Sequence, residues 1–405
     1  MAVIRRFGHL QFSRIYIGDL TMTIQQQKPN FGGRQHFLDW LRVLAFAYLV
    51  LYHTALMFVD WSFHIESGHN YEALKPLLIL TANWRLDLLF LVSGVAISFM
   101  MTTFTIGGFL KQRVVKLFIP CTFAIAFIVA PQAYFEALFK GLIEPGAWQF
   151  WTTQYFSFSW MDGMIAPFPT YNHMWYVVYL FIYTVVLAPL FIFINTPKGQ
   201  TYLSILENWI TKGFRILWAP YILYLSAFFY TGHNNVTHAL NDDWFGHFIF
   251  LYILVMGVLF VRMPKTWQVF EDNRYVSLTL ALVSYWVILT KNYTGLLPVI
   301  SWDLMEMIIK WSWVATLIGF GRHYLNYTND FLRYANSIVY PFFILHQTVI
   351  IIIGYYIIDW GMHGIFELIA INIGTLVICL VLIELVIKKL NILRLLFGLK
   401  LIKKA

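Results

Sequence analysis

Ten stretches of roughly twenty predominantly apolar residues run through the chain, and a stretch of that length is what a helix needs to cross a bilayer. They cover about 37–59, 76–103, 114–135, 173–194, 214–231, 244–262, 275–291, 303–321, 336–358 and 365–387. The runs are long and unbroken, whereas a membrane β-barrel would show alternating segments of about ten residues. Charged residues make up 12% of the chain against about 25% in a soluble domain, and mean hydropathy is +0.66. Too little polar surface is available to cover a water-soluble enzyme of this size. The sequence therefore predicts an all-α fold, a polytopic transmembrane bundle of about ten spans with the lipid bilayer as its surroundings.

Lysine and arginine set the expected orientation. With the N-terminus in the cytoplasm, 22 of the 28 fall in cytoplasmic segments, three in outer segments (Lys75, Lys140, Lys291) and three inside spans (Arg42, Arg85, Lys310). That bias predicts both termini cytoplasmic and an even number of spans. The expected organisation is a cytoplasmic tail over 1–36, a membrane domain over 37–387 and a basic cytoplasmic tail over 388–405. No cleavable signal peptide is visible before Phe37. One outer loop, about 136–172, is long and rich in Trp, Tyr, Phe and Pro, including Trp148, Trp160, Pro167 and Pro169. It reads either as an interfacial aromatic belt or as a lid and sugar-stacking platform over an outward-facing site.

Ionisable groups inside spans are costly, so each is a candidate for function. The first span carries Asp39, Arg42 and His53. Arg42 and His53 are eleven residues apart, about 20° from a whole number of helical turns and about 16 Å along the axis. They share one helix face, with Arg42 near the inner boundary and His53 at about mid-membrane. Asp39 stands at i−3 and can pair with Arg42. One reading is a cation that holds an anionic head at the inner mouth, with an imidazole deeper in that acts as a base on something threaded inward. A second is a snorkelling arginine and a packing histidine. The second span carries Arg85, Asp87, Ser93 and Gly94, readable as a helix-positioning ion pair and a small-residue packing site. Lys111, Arg113 and Lys116 precede Pro120; Arg113 and Lys116 share a face at i, i+3 and suit phosphates, although positive-inside topology explains them equally. His173 opens the fourth span next to Trp175, and His346 lies mid-span beside Gln347.

Other residues read as structural. Glu306 and Lys310 stand at i, i+4 as a self-neutralising pair, and Glu384 lies near the inner end of the last span. His64, His69, His233, His238, His247 and His363 fall in loops or at span ends without ligand spacing, and Cys121 and Cys379 read as core thiols. No metal motif and no Walker lysine loop is present. The expectation is no metal, no bound cofactor and no nucleic-acid partner.

Taken in order, these marks resemble the membrane acyltransferase-3 family of integral-membrane O-acyltransferases. Its first-span mark, an Leu-Asp-x-Leu-Arg run with a histidine eleven residues after the arginine, corresponds to Leu38–Arg42 and His53. Asp87, Phe90, Ser93 and Gly94 are similar to its Asp-x-x-Phe-x-x-Ser-Gly mark. Its Arg-x-x-Arg entry to the third span reads Arg113-Val-Val-Lys116 here, and the lysine departs from the pattern and weakens bidentate phosphate recognition. His173-Met-Trp175-Tyr176 and Tyr340-Pro-Phe-Phe-Ile-Leu-His346 resemble two later marks. Trp61–Ser67, Phe320–His323 and Leu393–Phe397 look like the branch that succinylates periplasmic glucans. The resemblance implies acyl-CoA, acetyl- or succinyl-CoA, as cytoplasmic co-substrate and a carbohydrate hydroxyl as outer acceptor. It implies His53 as the essential histidine and Arg42 as its companion; with an acyl-CoA donor, the basic run is expected to supply donor contacts from Arg113, Lys116 and Lys111. Arg85, Asp87, Ser93, His173, Trp175 and His346 remain candidates for the pocket. The alternative on composition and buried charge alone is an exporter or flippase of a glycan or lipid-linked sugar, or an accessory subunit without chemistry.

Overall fold

Inside a bilayer no water satisfies backbone N–H and C=O groups, so long apolar runs are driven into helices that bond internally. The computed structural model describes residues 35–232, 236–294 and 300–402, and within these every element is helical. The N-terminal tail expected over 1–36 lies outside the described residues up to position 34.

All ten apolar stretches are helical. They form α1 (His36–Leu56), α2 (Lys75–Met101), α3 (Ile106–Phe139), the pair α4 and α5 (Trp175–Val186, Ala188–Ile194), α7 (Arg215–Thr231), α8 (Trp244–Phe260), α10 (Arg274–Thr294), α11 (Ile300–Leu325), α12 (Asp330–Ile357) and α13 (Gly364–Val381, continuing helically to Lys389). Two more helices, α6 (Pro197–Ile210) and α9 (Lys265–Asp272), link them. By length and composition α2, α3, α12 and α13 are each able to cross a membrane. Two bent pairs raise that number to six: α4 with α5, turned by 53°, and α8 with α9, turned by 111°. The structure thus supports an all-helical membrane protein with four to six spans meeting those criteria among the described residues, fewer than the ten expected. α1 falls outside them because Asp39 and Arg42 interrupt its first turns, and α7 because it has 17 residues.

Burial sorts the helices into layers. α2 and α12 are mostly enclosed, whereas α3 and α13 are mostly exposed, and what they expose is apolar: Phe118 and Phe127 on one, Ile373, Leu376 and Val377 on the other. An apolar exterior around a packed interior is what lipid contact favours. α2 and α8 cross closely through two glycines. A Cβ at Gly94 would run into the carbonyl of Leu254, and one at Gly257 into the carbonyl of Leu91. The Ser93-Gly94 step therefore serves the close helix approach read from the sequence.

Loops gather at one end of the bundle. The segment after α1 is not a solvated loop: Ser67 N–H bonds Met57 O and Tyr71 N–H bonds Phe58 O, both at 2.7 Å. Its Phe58, Phe63 and Ile65 pack on Ile350 and Ile351 of α12 and Ile371 of α13. The long segment 140–171 likewise has a core of its own, with Phe150, Tyr155, Met164 and Phe168 against Ala130, Ala133 and Ala137 of α3. At the opposite end the chain after α13 folds back on itself. Ile402 N–H bonds the Asn391 side chain at 2.7 Å, and Arg394 Nε bonds Lys400 O at 2.6 Å.

Candidate functional site

α1 and α12 run parallel and are joined at two levels. Near the starts of both helices the Arg42 guanidinium bonds Asp39 Oδ1 at 3.2 Å and Asn336 Oδ1 at 2.5 Å. Three turns further on His53 Nδ1 meets His346 Nε2 at 3.1 Å. Arg42 and His53 therefore both turn toward the same partner helix, as their eleven-residue spacing requires.

The hydrogen bonds of His346 decide the protons of this pair. Its Nδ1 lies 2.6 Å from Phe343 O, and a carbonyl only accepts, so Nδ1 carries the hydrogen. With one N–H per ring, His346 Nε2 is an acceptor, His53 Nδ1–H donates to it, and the lone pair of His53 sits on Nε2. His53 lines a cavity of about 980 Å³ at the loop-rich end of the bundle. Its Nε2 has no hydrogen-bond partner among the described residues.

Several residues singled out in the sequence share this cavity. Arg85, Asp87, His173 and Trp175 line it with His53. Ser93 stands behind the wall, bonded at 2.7 Å to the hydroxyl of Tyr176, which lines it. Arg85 and Asp87 do not form the ion pair read for them. Asp87 accepts from Tyr224 Oη at 2.7 Å, and the Arg85 guanidinium lies on the face of Tyr52, 3.7 Å from the ring centroid. Arg85 is 4% exposed, and its Nε and Nη1 have no hydrogen-bond partner among the described residues. Lys310 also lines the cavity and keeps the expected pair with Glu306 at 3.0 Å.

The three residues read as donor contacts lie elsewhere. Lys111 and Arg113 lie in the last turn of the α-helical stretch Ile106–Arg113 that opens α3, and Val114–Phe118 then winds with a wider π-helical pitch. Lys116 Nζ bonds the carbonyls of Gly398 and Leu399 at 3.0 and 2.8 Å, and the buried Arg113 bonds Met100 Sδ and the Gln112 side chain. Neither they nor Arg42 line the cavity.

Some of the wall was not singled out from the sequence. His64 and His238, read as loop histidines without a task, both line the cavity. His64 Nδ1 lies 2.5 Å from Glu136 Oε2 and is buried. His238 stacks on Trp175 with ring centroids 4.0 Å apart, in a left-handed backbone conformation (φ 59°). Burial, followed by the positive charges of Lys310 and Arg85, pushes the His238 imidazole down to about 4. Trp160, Pro167 and Pro169 of the long aromatic segment also form part of the wall, while Trp148 and Phe158 point away and stay exposed. Part of that segment thus borders the cavity, and part of it does not.

Among the described residues no group of three or more His, Cys, Asp or Glu is arranged to hold a metal. The wall instead combines an oriented imidazole whose Nε2 lone pair has no partner among the described residues, a guanidinium held on the Tyr52 ring, and the aromatic faces of Trp160, Trp175 and Tyr176. No curated protein and no solved structure matches the chain. The model of an acyltransferase domain family matches residues 35–384, a span that holds α1, the cavity and the His53–His346 pair. The chain belongs to the acyltransferase-3 family of membrane O-acyltransferases.

Proposed function

We propose that this enzyme moves an acyl group from cytoplasmic acyl-CoA to a hydroxyl of an envelope or exported carbohydrate, with His53 as general base. The observation that carries the reading is the chain from Phe343 O through His346 to His53, which leaves His53 Nε2 as an acceptor in the cavity wall. In the reaction the acceptor hydroxyl gives its proton to Nε2 as its oxygen bonds to the thioester carbonyl carbon. The carbon–sulfur bond then breaks, and the departing CoA thiolate takes the proton back from His53. A well-placed base is worth about 10²–10⁴-fold in rate.

We assign ten spans, both termini to the cytoplasm, and the protein to a bacterial inner membrane. The parallel course of α1 and α12 supports this, since the first and ninth of ten spans must run the same way. The cavity then faces outward and receives the carbohydrate. The donor head binds at the inner face near Arg42, Lys111, Arg113 and Lys116, and the pantetheine arm rises between α1 and α12. Of acetyl and succinyl, the unpaired guanidinium of Arg85 favours succinyl, whose terminal carboxylate would satisfy it.

Mass spectrometry of envelope carbohydrate from cells with and without the protein tests the reading. An ester-linked acyl increment present only with the protein is expected. Carbohydrate that is exported in a protein-dependent way but never acylated would point to the exporter alternative instead.

A further inference from the structure

Next to the His53–His346 pair lies a second buried network, and two backbone carbonyls fix the direction of every proton in it. Thr348 Oγ1 donates to Ile128 O at 2.6 Å, so it accepts from Gln132 Nε2 at 2.7 Å. His173 Nε2 donates to Ile344 O at 3.2 Å, so its Nδ1 accepts the other Gln132 N–H, also at 3.2 Å. Gln132 Oε1 must then accept, from Asn172 at 2.9 Å and from Gln347 Nε2 at 3.2 Å. The remaining Gln347 N–H donates to His64 Nε2 at 3.1 Å, which forces the His64 hydrogen onto Nδ1, where it donates to Glu136.

Glu136 closes this chain and begins another. Its second oxygen accepts from the Ile165 backbone N–H at 2.9 Å and from Lys140 Nζ at 2.7 Å, and Lys140 also bonds Gly163 O at 2.9 Å. Glu136 is 2% exposed and lies outside the cavity lining, whereas His64, Ile165 and Gln347 lie in it. One carboxylate thus grips a cavity histidine with one oxygen and the segment carrying Trp160, Pro167 and Pro169 with the other. We infer that Glu136 is a positioning residue for the acceptor. It sets the tautomer of His64, and it ties the 160–170 segment down as a fixed wall of the carbohydrate site. This rests on the acyl-transfer reading for the identity of the acceptor, but the tether itself does not depend on it.

Glu136→Gln tests the inference at constant shape. If the amide oxygen keeps Lys140 and Ile165, the amide NH₂ faces His64 and reverses its tautomer. His64 Nε2–H then opposes the Gln347 N–H, a buried donor–donor contact. For purified full-length protein in nanodiscs we expect the acceptor KM to rise about tenfold or more, with the KM for acyl-CoA within about twofold of the parent. Lys140→Met, which cuts the tie to Gly163 and leaves the carboxylate in place, covers the case of a Glu136→Gln protein that does not fold. Hydrogen exchange of the 160–170 peptide, measured without substrate, should quicken in Lys140→Met, and to a smaller extent in Glu136→Gln, whose neutral amide holds Lys140 less tightly than the carboxylate does. An unchanged acceptor KM, a parallel rise in donor KM, or unchanged exchange in that peptide would each overturn the inference. If the parent protein transfers no acyl group at all, the function proposed above falls, and the exchange measurement still decides the tether.

Discussion

His53 and His346 lie ring to ring, 5.2 Å between centroids and only 10° from parallel, with Nδ1 of the first 3.1 Å from Nε2 of the second. The bond gives His346 a positioning duty. It accepts the hydrogen of His53, and in doing so it fixes which nitrogen of His53 is basic and where it points. Removal of His346 leaves His53, the proposed base, in place but free to rotate and to change tautomer.

His346→Ala should therefore lower kcat by about 10- to 100-fold, up to the lower limit of what a placed base contributes, because the base itself remains. The KM for acyl-CoA should stay close to the parent value, because the change lies at the His53 end of α1 and away from Arg42. Steady-state kinetics with the donor varied at saturating acceptor separates the two effects. A loss confined to KM would assign His346 to binding.

Arg85 stands one ring from His53, on Tyr52, whose ring is 5.9 Å from that of His53. If its guanidinium receives the terminal carboxylate of the acyl group, Arg85→Met should cost about tenfold or more with succinyl-CoA, the worth of one charged hydrogen bond. Transfer from acetyl-CoA should change far less. Competition between the two donors, read by mass spectrometry of the product, reports the ratio directly. An equal loss with both donors would show that Arg85 does not read the acyl tail.

How much of this was legible beforehand differs from residue to residue. The helices were, because a bilayer leaves an apolar run no other way to satisfy its backbone. The Arg42–His53 stripe was legible too, since eleven residues return a helix to the same face, and both side chains do meet α12. The partners of Arg113 and Lys116 were not legible: Met100 and Gln112 for the first, and the carbonyls of Gly398 and Leu399 for the second, which no spacing along α3 encodes. His64, His238 and Glu136 were not legible, because three separate segments bring the two histidines to the cavity wall and Glu136 behind it, and no spacing along the chain encodes that. One signal was present and unused. Gln132 and Glu136 stand at i, i+4 within an apolar span, and both prove buried and fully bonded.

His238 makes the cavity wall sensitive to acid. Its imidazole ordinarily titrates at 6.5 and is held down to about 4 in the folded protein, chiefly by burial. Between those values the folded state binds fewer protons than the unfolded state. The stabilising contribution of neutral His238 is thus complete above about pH 6.5 and is lost as pH falls toward 4. Allowing for partial exposure, the effect is on the order of 1–2 kcal/mol. Thermal unfolding in detergent at pH 7.5 and at pH 5 should show a smaller acid shift for His238→Gln than for the parent. An identical shift in the two proteins would remove His238 as the cause.

The most direct test of the account is acyl transfer by purified His53→Ala protein, compared with the parent at equal amounts of folded enzyme. The expected result is a protein that folds and binds acyl-CoA normally yet leaves the carbohydrate unacylated. Transfer at the parent rate would mean that the proton is taken by some other group and that the orientation of His53 by His346 serves another purpose.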